Sequence, residues 1–448
     1  MSPLATACSV STSAASRCWS PCTAPSWSRS GKWSVKGLAP KRGDPMTARQ
    51  PFTLAAGDAR RLLVRYHFQA APLEAVIRRL GTIQFDPLAP VGTNPDLVLQ
   101  ARVPGYRQGD WRHAAYERRL LVDGWDKQAS LIQPAEWWAQ APFQRWFARR
   151  WQKHGVDVDA PEARALVEQV ARHGPATSLE LGDQRADPAL RGSWYGPKRS
   201  RHLLKALWDA GHLMTHHRVG GRHAYDLPER VLPQGMGKGE ASATQDDALQ
   251  RLVVRRVQAA GLLRPTADAA VWSLPCQRGE RDRIAARAVA QGELVELDVE
   301  GTRYWATPAV LSRLDEAPAP TGIGGVRFLA PLDPLMWDRG GVARLFGFDY
   351  VWEVYKPQEL RRWGYYVLPV MWGERFVARF DAKCRQGTLT LLAWHWEPDI
   401  HPARLPEGLA EALQRAASAF VDYLGASRVV LPRGLGREAR RAWQRAVH

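Results

Sequence analysis

Five positions spaced 81 residues apart constrain this chain more than its bulk properties do: Leu203, Gly211, Leu213, Gly220 and Arg222 recur without a gap as Ile284, Gly292, Leu294, Gly301 and Arg303. In each copy a helix-like stretch stops at a glycine, and two alternating segments then meet at a glycine tip. That is the pattern of a helix, its C-terminal cap and a β-hairpin. An internal repeat of this type predicts tandem modules.

The residues ahead of the first copy extend the pattern. Pro161 to His173 reads as a helix, Gly174-Pro175 as a turn and Leu179-Glu180-Leu181 as a short strand. A basic helix opens with Lys198-Arg199-Ser200-Arg201 and runs to Gly211; the hairpin turns at Gly220-Gly221 and ends near Tyr225. Helix, helix, basic helix and hairpin is the order of a winged helix-turn-helix, whose third helix normally enters the major groove of DNA. Near the start, Ala59, Leu62, Leu63 and Tyr66 fall on one helical face, as do Leu73, Val76, Ile77 and Leu80 after Pro72. These two helices open a further copy, which makes three. From Gly322 to about Pro398, short alternating runs such as Arg375-Phe376-Val377-Ala378-Arg379-Phe380 predict antiparallel strands of a small barrel or sandwich. A helix between Pro406 and Leu424, a strand at Arg428-Val429-Val430-Leu431 and a final basic helix follow. The expected fold is α+β: winged-helix modules at 46–158, 159–240 and 241–318, a β-barrel at 319–400 and a helical segment at 401–448.

Length permits this plan, since 448 residues exceed what one core usually holds. The first 45 differ from the rest. Ten serines precede Val35, the first acidic residue is Asp44, and no hydrophobic periodicity is present, so they read as a disordered leader or as sequence upstream of a start at Met46, in preference to a targeting peptide. Net charge is +17, and without those residues +12 remains, so the basic excess belongs to the folded part and favours a polyanion as partner. Five cysteines without a CxxC pair imply a reducing cytoplasm and no structural zinc. No apolar run reaches the roughly 20 residues of a membrane span.

Catalytic motifs of strict spacing are missing: there is no HExxH, Walker loop or GxSxG, and Gly322, Gly324 and Gly325 precede a strand instead of linking strand to helix. His212, His216 and His217 lie on a hairpin without Cys partners and read as exposed or phosphate-facing, so no metal and no cofactor is expected. Thr82-Ile83-Gln84-Phe85-Asp86-Pro87 is the segment of most interest. In an extended chain Gln84 and Asp86 point the same way while Ile83 and Phe85 anchor it. By pattern alone the segment is equally an ordinary Asp-Pro turn, as Asp333-Pro334-Leu335 illustrates.

Three stretches change that balance: Leu80-Gly81-Thr82-Ile83-Gln84-Phe85-Asp86; Tyr225-Asp226-Leu227-Pro228-Glu229-Arg230-Val231-Leu232-Pro233; and Leu332-Asp333-Pro334-Leu335-Met336-Trp337-Asp338-Arg339 with Leu345-Phe346-Gly347-Phe348-Asp349-Tyr350 and Gly364-Tyr365-Tyr366-Val367-Leu368-Pro369. In these the sequence resembles, from about Thr53 to Pro398, the winged-helix DNA glycosylases of the AlkZ/YcaQ type, bacterial enzymes that excise alkylated bases and unhook interstrand crosslinks. The resemblance implies three winged helices around a concave DNA channel, closed by a β-barrel. It also makes Gln84 and Asp86 the catalytic pair. Gln-apolar-Asp is the YcaQ-like form and departs from the AlkZ branch, which has a second glutamine. A monofunctional hydrolysis is implied, because no motif nominates a Schiff-base lysine. The lesion is expected to be met in an open groove, since a base tethered to the opposite strand cannot rotate into a tight pocket.

For DNA contacts the basic helix offers Lys198, Arg199 and Arg201, its hairpin Arg218 and Arg222, and the third stretch Arg339. The expected partner is double-stranded DNA carrying alkylated bases or crosslinks, met by a monomer at the bacterial nucleoid without an obligate protein partner. The rival reading is a non-enzymatic winged-helix regulator or damage-recognition protein. About three modules and no coiled-coil heptads weigh against it.

Overall fold

In the computed structural model, which describes residues 52–236, 243–314 and 325–447, the two repeat copies occupy equivalent elements. Helix Arg199–Asp209 leads into the hairpin Met214–Val219 and Arg222–Asp226; helix Arg278–Ala290 leads into Val295–Val299 and Thr302–Ala306. Each hairpin turns through left-handed residues, Gly220-Gly221 in the first copy and Glu300-Gly301 in the second. The expected leader at 1–45, the start at Met46, and Gly322 and Gly324 lie outside the described residues.

The chain is α+β, with three three-stranded sheets and one of five strands among the described residues. One small sheet orders Thr82–Gln84, Ala129–Ile132 and Val122–Trp125; another orders Ala176–Thr177, Arg222–Asp226 and Met214–Val219. In the third, Phe52–Leu54 joins the hairpin of the second repeat copy by pairing in parallel with Val295–Val299, Thr53 opposite Asp298. The N-terminal strand is thereby tied to a segment some 245 positions away, and the Ala56 N–H adds a bond to Glu300 Oε1 (3.0 Å).

Gln245–Ala260 is the central helix. Thr244 and Asp247 close a capping box at its start, and Gly261 ends it in a left-handed conformation. It is buried nearly all round, packing on Leu73–Leu80, Ala141–Lys153, Arg278–Ala290 and the Thr82–Gln84 strand. Such a helix has to be apolar on most faces. Gln250, Arg255 and Arg256 are the exceptions, and the two arginines are fully buried.

Two expectations need correction. The sheet predicted as a closed antiparallel barrel is open, in the order Val326–Phe328, Val367–Trp372, Arg375–Arg385, Thr388–Trp396 and Arg428–Val430, and its last pair is parallel. Closure is unnecessary because helices cover it: Phe328 packs its ring on Phe420 of helix Leu409–Leu424 (5.1 Å) and on Trp443 of helix Arg437–Gln444 (5.5 Å). The resulting core is continuous with Val76, Ile77, Leu80 and Ile83 of the N-terminal helices and strand. Leu179-Glu180-Leu181 is also no strand. Glu180 accepts from the Thr177 N–H (2.8 Å) and hydroxyl (2.7 Å), a capping-box closure that winds the segment into a turn.

Candidate active site

Helix Leu73–Leu80 ends at Gly81, whose positive φ of 71° lets its N–H reach the Ile77 carbonyl and turns the chain into the Thr82–Gln84 strand. That strand pairs with Ala129–Ile132, Gln84 opposite Ser130, and the Phe85 N–H continues the ladder to Ala129 O (2.8 Å). Asn94, fully buried, donates to the Gln84 carbonyl (2.7 Å). The Gln84 backbone is therefore held on two sides, and the residue as a whole is 5% exposed.

Phe85 packs edge-on against Trp111 (5.8 Å) and carries the Arg218 guanidinium over its ring at 4.1 Å. Asp86 is half-buried and accepts from the Leu88 N–H (2.9 Å). Burial raises its pKa above the ordinary aspartate value, and the Leu88 bond offsets part of that rise. Such a carboxylate holds its proton to a higher pH than an exposed one and is a better base once ionised.

Three residues distant in sequence converge here. Lys127, on the turn between Val122–Trp125 and Ala129–Ile132, places its amine 3.4 Å from Gln84 Oε1. Arg339, at the start of helix Arg339–Phe346, lies close enough to Lys127 to disfavour its charge and packs over the Tyr350 ring (5.6 Å). The buried Tyr366 hydroxyl has no hydrogen-bond partner, and burial, reinforced by the Asp86 charge, pushes its pKa far up. Asp381 fixes the Tyr366 backbone by accepting from the N–H groups of Tyr365 (2.7 Å) and Tyr366 (3.3 Å).

The expected DNA contacts divide. Arg222 is exposed at the hairpin tip. Lys198 donates to Gln184 Oε1 (2.8 Å), and Arg199 forms a half-exposed pair with Glu162. Arg201 is partly buried. Arg218, expected on the hairpin surface, is drawn inward with its side chain 6% exposed, ion-paired to Asp123 and donating to the Tyr116 hydroxyl (3.0 Å). Alternation along the strand cannot reveal that inward turn, because the partner carboxylate is 95 positions away. Lys127, Asn94 and Tyr366 were not singled out by sequence, since each reaches the site only through tertiary packing.

Among the described residues no group of three His, Cys, Asp or Glu side chains is placed to hold a metal ion; the His216 and His217 rings contact each other through their Nδ1 atoms (2.9 Å). A wide concavity of about 680 Å³ between Arg60, Phe346, Trp372, Arg375 and Arg415 lacks the Gln84–Asp86 segment.

A family model described as DNA glycosylase AlkZ-like matches residues 77–421. Among solved structures, the Streptomyces sahachiroi DNA glycosylase AlkZ superposes with a TM-score of 0.58 at 20% identity, covering 85% of this chain and 100% of that one. The superposition speaks for the fold.

Proposed function

Since the chain belongs to the AlkZ-like DNA glycosylases, we propose that its reaction is hydrolysis of the N-glycosidic bond of N7-alkylated purines, bulky adducts and interstrand crosslinks included. The observation that carries this reading is Gln84-Phe85-Asp86 at the end of a braced strand, with a half-buried carboxylate of raised pKa. A purine alkylated at N7 is already cationic and leaves with little help from an acid. The demand falls on the sugar, where positive charge develops at C1′ and water has to attack the opposite face. Asp86 stabilises that charge and takes the proton of the attacking water, while Gln84 holds water or sugar by its amide.

Around this pair, the three helix–hairpin units act as winged helices lining a DNA groove, in the domain division given from sequence. The lesion is met within the groove, not flipped into a pocket. Lys198, Arg199, Arg201 and Arg222 contact phosphate, and Arg339 reaches DNA beside the catalytic pair. Arg218 is reassigned: it braces Phe85 and the first unit against the second. The protein works as a monomer on duplex DNA in the bacterial cytoplasm, without cofactor.

The test is excision of N7-methylguanine by Asp86→Asn. The rate should fall about 10²–10³-fold while duplex affinity is retained; full activity in a clean preparation refutes the assignment. The sign of the pH dependence follows from the raised pKa. The ionised form is required, so wild-type excision should decline on acidification at a higher pH than an exposed aspartate would set.

A further inference from the structure

Base hydrolysis asks of Lys127 no more than a hydrogen bond to Gln84, yet the fold fixes it at the site from both sides. The preceding Asp126 is fully buried and shared between Arg255 (2.6 Å) and Arg256 (2.5 Å). Ser273 donates its hydroxyl to the Lys127 carbonyl, and the Asp126 N–H closes the turn on Gln128 O (3.0 Å). From this pinned turn the amine approaches Gln84 Oε1, and among the described residues no carboxylate lies within ion-pair distance of it. Burial first, then Arg256 and Arg339, lower its pKa to about 8; Asp126, the opposing charge, is already committed to two guanidiniums. A neutral amine is therefore well populated near that pH, and a neutral amine adds to aldehydes.

We propose that Lys127 gives the protein a second activity, in departure from the monofunctional hydrolysis the resemblance implies: cleavage of the DNA strand at an abasic site through an imine with the deoxyribose. The proposal rests on the reading that Gln84 and Asp86 hold that sugar. Base loss leaves C1′ as a hemiacetal in equilibrium with the open aldehyde. The neutral Lys127 amine adds to C1′, and the carbinolamine takes up one proton from solvent and loses one water, giving a protonated imine; that proton is given back when the imine is hydrolysed. Asp86 accepts a C2′ proton, the electron pair forms the C2′–C3′ double bond, and the C3′–O bond breaks to release the phosphate. One water then hydrolyses the imine, which frees the amine and leaves an unsaturated aldehyde on the 3′ end. No oxidant or reductant enters.

The experiment uses the full chain, a duplex with a preformed abasic site, and sodium borohydride to reduce any imine to a stable amine. Wild type should give a covalent protein–DNA adduct on a denaturing gel, mapped by mass spectrometry to the Lys127 peptide. Lys127→Arg keeps a cationic donor for Gln84 but has no amine to form an imine, and Lys127→Met removes both; each should lower the adduct at least about tenfold. An adduct undiminished in Lys127→Arg, mapped to another lysine, or absent from wild type overturns the proposal. Excision of N7-methylguanine is scored in parallel. If excision proceeds without an adduct, the lysine assignment alone fails; if excision is absent as well, the reading of the site fails with it.

Discussion

In the third helix–hairpin unit, cations are buried or neutralised: Arg255 and Arg256 share Asp126 beneath the surface, and Arg283 and Arg287 are paired with Asp246 and Asp247. In the second unit, built on the same repeat, Lys198 meets only an amide, and Arg222 is exposed with no carboxylate partner among the described residues. One backbone plan thus serves two electrostatic purposes. The third unit uses buried charge to set the turn that carries Lys127; in the second, Arg199 and Arg218 are ion-paired as well, and the difference rests on Lys198 and Arg222.

The contrast can be broken most forcefully at Asp126. Asp126→Ala leaves the buried Arg256 without a carboxylate and Arg255 with only Glu136 at 3.7 Å, and should cost about 3–5 kcal/mol, read as a lowered midpoint in denaturant unfolding. A loss below about 1 kcal/mol, the ordinary worth of an exposed pair such as Arg199–Glu162, would mean the buried charge is dispensable. Arg218→Ala is expected to act at an intermediate level, ~2–3 kcal/mol, because it leaves Asp123 buried with only the Tyr116 hydroxyl. It should also slow excision more than it weakens DNA binding, since it frees the ring of Phe85; equal losses in both would return Arg218 to phosphate contact. The smallest effect sharpens the surface half of the comparison. Arg222→Ala should reduce the slope of log K against log salt by about one phosphate contact, ~0.9, whereas Arg303→Ala, at the repeat-equivalent position and near Glu296 (3.8 Å), should leave it unchanged.

Much of this was legible in the sequence, and the exceptions share a cause. Helices Ala56–Phe68, Leu73–Leu80 and Pro161–His173, and both hairpins, announce themselves through apolar spacing and glycine stops that act over a few residues. The glycine cap that aims Gln84 and Asp86 is equally local. Arg218 is the converse case: it reads as an exposed hairpin cation until Asp123 arrives from another unit. Lys127 lacks any motif, and its perturbed amine depends on Arg256 and Arg339, 129 and 212 positions further along. The open sheet was read as a barrel because alternation reports buried faces but not whether the edge strands meet.

The strand Phe52–Leu54 bears on how the protein is made. Its partner, Val295–Val299, leaves the ribosome long after it does, so this sheet edge waits for about 240 further residues. At synthesis rates of ~5–20 residues per second that delay is roughly 10–50 s. Throughout it, Phe52–Leu54 is an unpaired strand and the Ala56–Phe68 helix lacks its later neighbours, which leaves the nascent chain open to association with other copies. Folding cannot finish segment by segment as the chain emerges: Val295–Val299 has to return to Phe52–Leu54, and later still Phe420 and Trp443 have to join the core of Val76, Leu80 and Ile83.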